Sequence, residues 1–362
     1  MRVFYQIFFS VYQILSSSPV TDSSYLSLLS LHVMLRCLTR ARPLLSLLTP
    51  RSLIHIHSKT MTTDHSHGHA RVPNTLEWLA KTKRGDYLVQ VAWPLCWGED
   101  RVASENEVVN LVYLVDGNAY FFTAVDVSRR LEYLNSTRTV VVGIGYPPSK
   151  YVYDFRRGPD LTPPADEYDM PLDRYGKPRT DISFGEANEF LDWIKADVMP
   201  YVEDTLFPKA NLHTGRKALF GHSYGGIFTL NTMFTQPELF NTYIAASPVI
   251  WWNKDFLIRE RETAFLARDK PVDPPFSLAL TWGTGKSELV RDPDDDDEKW
   301  YKRQNCAEDD KMKPSATALV SRLKDCPSVK KIWTREFDGE DHGSVAVTGL
   351  QQGLMQFILG KI

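Results

Sequence analysis

The chain has 362 residues, 43% of them hydrophobic and 24% charged, with a formal net charge of −3. This near-neutral balance is that of an ordinary globular protein and gives no footing for nucleic-acid binding. The four cysteines, Cys37, Cys96, Cys306 and Cys326, have no CxxC spacing, which argues against a zinc site or a disulfide framework and suits a reducing compartment.

Residues 1–60 differ from the rest. They are rich in Leu and Ser and carry six Lys or Arg against one acidic residue, Asp22. Three readings stay open. An Arg-rich, acid-poor segment suits a mitochondrial presequence. A secretory signal would use Val3–Leu15, but Tyr12 and Gln13 interrupt it. Alternatively translation starts at Met61, where Met61-Thr62-Thr63-Asp64 opens a polar, His-rich tail. Neither Val3–Leu15 nor Leu26–Leu38 reaches the roughly 18 apolar residues of a membrane span. On each reading residues 1–70 lie outside the fold as a disordered or non-native extension, and 71–362 form one domain. Within that tail, His65, His67 and His69 have the spacing of metal ligands but no acidic partner beyond Asp64, so a plain polar tail is the simpler reading.

Taken in chain order, Tyr87–Cys96 alternates like a strand and turns at Trp97-Gly98. The polar stretch Glu99–Glu107 reads as a hairpin connection to the apolar run Val108–Val115. That run ends in Asp116-Gly117-Asn118, a turn signal. Phe121–Leu134 is helical in pattern and Thr139–Ile144 is a buried strand. Tyr146–Arg179 has many Pro, Tyr and charged residues and no period, the mark of a lid or binding loop. Phe184, Ala187, Phe190, Leu191, Ile194, Val198 and Val202 recur at helical spacing up to Phe207. Strands follow at Arg216–Phe220, Thr242–Pro248, Ser277–Trp282 and Lys331–Phe337, and a last helix at Ser344–Ile358. Apolar strands alternating with helices predict an α/β fold with a mostly parallel central sheet covered on both faces, here with a lid-like insertion at 146–179.

Between two of those strands stands Gly221-His222-Ser223-Tyr224-Gly225-Gly226. A serine in Gly-x-Ser-x-Gly spacing sits on a sharp strand-to-helix turn with its hydroxyl exposed. At average Gly and Ser usage the bare pattern arises by chance in about one chain of this length in ten. The flanking strand and the helix Ile227–Phe234, stopped by Pro237, supply the context that the pattern needs. A serine hydroxyl also needs a base. Of nine histidines only His342 follows Ser223, in the loop before the last helix, where this architecture puts the base. The acid should follow the strand Ser277–Trp282. Glu288 is the first candidate and Asp292 the second, with another residue or a Ser–His pair without a carboxylate still open. The first oxyanion donor is the Tyr224 N–H, and the second the N–H of Gly117 or Asn118. Trp251 either lines the substrate pocket or belongs to the core, and His222 reads as structural.

Five motifs occur in order: Leu114-Val115-Asp116-Gly117-Asn118, Arg157-x-x-Asp160-Leu161-Thr162-Pro163, the serine motif, Ala246-Ser247-Pro248 and Asp341-His342-Gly343-Ser344. Together, over residues 75–360, they resemble the esterase D-type α/β hydrolases, and within them the ferric siderophore esterases, bacterial enterobactin and fungal triacetylfusarinine esterases. The resemblance implies an α/β-hydrolase fold and hydrolysis of esters in an iron-chelating polyester, with Ser223 and His342 catalytic. It also implies that Arg157 contacts substrate, although Leu161 stands where the family pattern has tyrosine. The partner is then a small-molecule ester, with no nucleic acid, membrane or cofactor called for, and any iron belongs to the substrate. The alternatives are a general carboxylesterase, a feruloyl-type esterase, a thioester hydrolase or an acyltransferase of the same fold, or a non-catalytic binding protein on it.

Overall fold

The computed structural model describes residues 71–362 apart from 105–106, 174, 287–289, 292, 294, 298–299 and 301–308. Eight strands form one sheet: β1 (Thr75–Thr82), β2 (Gly85–Ala92), β3 (Val109–Val115), β4 (Arg138–Gly145), β5 (Arg216–His222), β6 (Thr242–Ala246), β7 (Phe276–Gly283) and β8 (Val329–Phe337). Their spatial order is β1-β2-β4-β3-β5-β6-β7-β8. The first two pairings are antiparallel and all others parallel. The helices among the described residues include α1 (Gly117–Asn135), α2 (Arg157–Leu161), α3 (Ala187–Trp193), α4 (Tyr224–Thr235), α5 (Thr263–Leu266), α6 (Asp309–Leu323) and α7 (Val345–Ile358).

Burial explains the strand compositions. All seven residues of β3 are buried, so its run Val-Asn-Leu-Val-Tyr-Leu-Val needs no polar face. Leu111, Tyr113 and Val115 point into the core under α3, α4 and α6, while Val112 and Leu114 point into the core under α1 and α7. The edges look different. β8 exposes Lys330, Lys331, Arg335 and Glu336, charges that discourage a further strand from pairing there. In α4 ten residues are buried, Thr229 and Thr232 among them, which leaves those two hydroxyls no water. They donate to the carbonyls four residues back, at 2.8–2.9 Å, as does that of the exposed Thr235 at the helix end.

Two expectations are corrected. β2 and β3 are not a hairpin: β4 lies between them, and β2 pairs instead with β4 and with β1. The polar linker that suggested a hairpin is a crossing connection. Second, the stretch expected to be helical up to Phe207 is helical throughout 187–206, but only its start, α3, is regular, with π-helical segments at Ile194–Val198 and Tyr201–Leu206. The segment 146–186 is irregular, as expected, save for α2 and a single bridge between Leu172 and Pro178.

The strand order reverses beside β3: the chain goes from β3 out to β4, then returns to β5 on the other side. At such a switch point the carboxyl ends of neighbouring strands leave a crevice where ligands bind. Here those ends carry Asp116-Gly117 and His222-Ser223.

Candidate active site

Ser223 joins β5 to α4 with φ 57° and ψ −115°, a conformation that costs an L-residue about 1–3 kcal/mol and is held only by its surroundings. Its N–H bonds the Ala246 carbonyl at 3.1 Å and its own carbonyl accepts from Ile227 N–H at 3.0 Å. The turn is tight enough that a Cβ at Gly221 would collide with the Gly225 carbonyl, so position 221 must be glycine. The result is a half-buried hydroxyl aimed out of the sheet end.

His342 Nε2 lies 3.0 Å from Ser223 Oγ. The loop carrying it is pinned at both ends. Ser344 N–H donates to Asp341 Oδ1 at 2.6 Å, and Asp341 N–H donates to Ser344 Oγ at 3.0 Å, the reciprocal pairing of a helix start. The Ser344 amide holds the Asp341 carboxyl below the usual carboxylate range. Towards β7, Thr284 N–H bonds the Phe337 carbonyl at 3.0 Å and Gly285 N–H bonds the Glu340 carbonyl at 2.8 Å. The chain leaving β7 thus runs against the His342 loop. Glu288 and Asp292, the two candidate acids, lie outside the described residues.

Tyr224 and Gly117 both open helices, and the first amides of a helix have no intrahelical acceptor. Leu114 pairs with Phe220 in the β3–β5 register, so Gly117 and Ser223 each follow the last paired residue of neighbouring parallel strands by three positions. Asn118 is doubly tied to the start of the long loop, accepting from Tyr146 N–H and donating to the Tyr146 carbonyl, both at 2.8 Å. Gly145 permits this, since a Cβ there would strike the Asn118 side chain.

Arg157 opens α2. Its guanidinium forms two hydrogen bonds, at 3.0 and 2.9 Å, with the buried carboxylate of Asp116. It also lies over the rings of Tyr153 and Tyr224, at 4.9 and 5.3 Å. It therefore braces the residue after Ser223. Trp251 is half-buried against the larger core. Its neighbour Trp252 joins Phe184, Ile227 and Phe256 in a smaller cluster, on which Tyr224 packs. Among the described residues no group of three or more His, Cys, Asp or Glu could hold a metal ion, and no helix is long and apolar enough to cross a membrane.

The sequence reading missed three features. One is the Asp116–Arg157 pair. Another is Asn253, part of a left-handed stretch with Lys254 and Asp255 at φ 51–61°. It grips the loop by accepting from Asp169 N–H at 2.8 Å and donating to the Glu167 carbonyl at 2.9 Å. The third is the pair of partners of His222, which was read only as structural: its ring nitrogens lie 2.9 Å from Tyr120 Oη and 2.7 Å from the His342 carbonyl oxygen, and its place inside the motif was the signal that could have prompted a search for them.

The chain is similar to known proteins over most of its length. The family described as "Putative esterase" matches residues 83–320. A siderophore enterobactin esterase of Emericella nidulans is 41% identical over 78% of this chain and 93% of its own length. A siderophore triacetylfusarinine C esterase of Aspergillus fumigatus is 34% identical over 79% of this chain and 94% of its own. The solved structure of the siderophore hydrolase EstA from Aspergillus nidulans superposes with a TM-score of 0.71, at 37% identity, over 82% of this chain and all of that one. With its serine turn at the switch point of a mostly parallel sheet, the chain belongs to this esterase family.

Proposed function

We propose that the chain is a serine esterase that hydrolyses carboxylic ester bonds of a ferric hydroxamate-type, fusarinine-like siderophore. The observation that carries the chemistry is the 3.0 Å approach of His342 Nε2 to Ser223 Oγ at a strained turn. His342 takes the hydroxyl proton as Ser223 Oγ attacks the ester carbonyl carbon. The negative oxygen of the tetrahedral intermediate is received by Tyr224 N–H and by the N–H of Gly117 or Asn118. Collapse breaks the C–O bond, and the leaving alcohol carries off the proton held on His342. Water, deprotonated by His342, then attacks the acyl-enzyme and frees the acid and Ser223. Iron enters only as part of the substrate.

The names of the two relatives support the substrate class. So does the long loop, which lines its outer face with exposed Tyr151, Val152, Tyr153 and Phe155, more apolar surface than a small acyl group needs. Arg157 and Trp251 are assigned to the wall of that site. Two thiols among the described residues, Cys96 and Cys326, are free, which supports a cytoplasmic location.

Mass spectrometry of products from a ferric fusarinine-type siderophore, run beside a panel of small p-nitrophenyl esters, tests the reading. Linear hydroxy-acid fragments should appear. An intact siderophore beside rapid small-ester turnover would make this a general carboxylesterase. Glu288 is the acid in this scheme, supported by the contact between the β7 exit and the His342 loop. Glu288→Gln should then lower kcat about 10⁴-fold. A wild-type rate would mean that Ser223 and His342 work as a pair.

A further inference from the structure

His222, Tyr120 and Tyr153 form a hydrogen-bonded line from the long loop to the backbone of His342. Tyr153 Oη lies 2.6 Å from Tyr120 Oη. Tyr120 Oη lies 2.9 Å from His222 Nδ1, and His222 Nε2 lies 2.7 Å from the carbonyl oxygen of His342. The outer end is 40% exposed on the loop, while Tyr120 and His222 are 2% and 4% exposed.

The direction of every proton follows from the far end. A carbonyl oxygen only accepts, so His222 Nε2 carries the hydrogen. His222 is neutral: burial first, then the nearby His342 and Arg157, push its pKa down to about 3. A neutral imidazole with Nε2–H has a bare Nδ1, which accepts from the Tyr120 hydroxyl. That uses the only proton of Tyr120, so its oxygen accepts from Tyr153 O–H. One acceptor at the end orders three donors.

We infer that His222 is a positioning residue for His342, and that Tyr153, through Tyr120 and His222, couples the seating of the long loop to the placement of the base. The inference rests on reading Ser223 and His342 as nucleophile and base. Neither hydroxyl nor His222 reaches the reacting atoms. They act by holding the His342 carbonyl, and with it the imidazole 3.0 Å from Ser223. A loop displaced at Tyr153 frees the Tyr120 hydroxyl to turn away, leaves His222 Nδ1 without its donor and releases the tautomer that grips His342.

The test is a double-mutant cycle on a small p-nitrophenyl ester, which is too short to depend on loop contacts. His222→Phe should lower kcat roughly 10²-fold, the cost of an ångström-scale misplacement, with KM unchanged. His222→Gln keeps an N–H donor at the Nε2 position and should recover most of that loss. Tyr153→Phe should cost about 5-fold alone, one hydrogen bond, and nothing further in the His222→Phe or Tyr120→Phe background. If His222→Phe fails to fold by circular dichroism, the Tyr120→Phe cycle decides alone. A wild-type kcat in His222→Phe or Tyr120→Phe overturns the inference, as does a Tyr153→Phe effect that persists in either background. Ser223→Ala, run alongside, separates the two readings: turnover remaining there sinks the nucleophile assignment, whatever the line variants do.

Discussion

Around Ser223 the chain is held by its own backbone, with the Ser223 amide on Ala246, the Ser223 carbonyl on Ile227 and Gly221 against Gly225. The loop 146–186 across the crevice is held by side chains instead. Arg84 pairs with Asp160 at 2.5 Å and Glu186 at 2.7 Å, Arg156 donates to the Asp86 carbonyl at 2.9 Å, Arg157 grips Asp116, and Asn253 grips Glu167 and Asp169. Backbone contacts admit almost no change without loss of the turn. Side-chain clamps are changed one at a time. On the proposed reading the first region would suit a reaction that must not vary, and the second a binding surface that can be retuned for another ester.

Ser223→Ala breaks the contrast most sharply. It removes the proposed nucleophile and leaves the backbone of the turn, so turnover should fall about 10⁶-fold while the thermal midpoint holds. An equal fall in stability would show that the side chain, not the backbone, holds this region. Arg157→Ala comes next. It strands the buried Asp116 carboxylate and should destabilise by about 3–5 kcal/mol, read as a shift of the urea midpoint at constant slope. Its KM should rise more for a ferric chelate than for a small ester, and equal rises would remove Arg157 from the substrate wall.

Acid acts on the elbow itself. Folding lowers the His222 pKa from 6.5 to about 3. Its stabilising contribution is therefore complete above pH 6.5 and is lost as the pH falls towards 3. Between pH 6.5 and 5 that amounts to about 2 kcal/mol, at roughly 1.4 kcal/mol per pH unit. Denaturant unfolding of wild type and His222→Gln at both pH values isolates it, and parallel losses in the two proteins would refute it. The smallest effect belongs to Asn253→Ala, about 1–2 kcal/mol for two hydrogen bonds lost. It should be confined to the loop, so amide exchange should quicken at 164–170 and stay slow in α4.

The inner parallel strands β3 to β7 were legible in the sequence because they are largely buried on both faces and read as mainly apolar runs, Val109–Val115 above all, and the last helix because its buried residues recur at helical spacing. β1 was not, because Glu77 and Lys81 stand on its exposed side and an edge strand with one wet face resembles a linker. The order of strands was misread at β2 and β3 for a related reason: a polar connection shows that the chain turns but not which strand it will lie beside. That Ser223 and His342 would meet was legible because each stands in a local signature. Arg157 and Asp116 are 41 residues apart, and Tyr120 and His222 are 102 apart, and neither pairing leaves any local pattern. Only the folded sheet brings their ends together.

The 119 residues that separate Ser223 from His342 have a consequence in time. Chains grow and begin to fold from the amino end, and contacts this distant along the chain close late. β5 and α4 can form with their serine in place while β7, β8 and the loop of His342 are still being made. On the proposed reading the serine would until then have no His342 to accept its proton, and the order of residues along the chain would keep a growing polypeptide inert toward esters until its last strand has found the sheet.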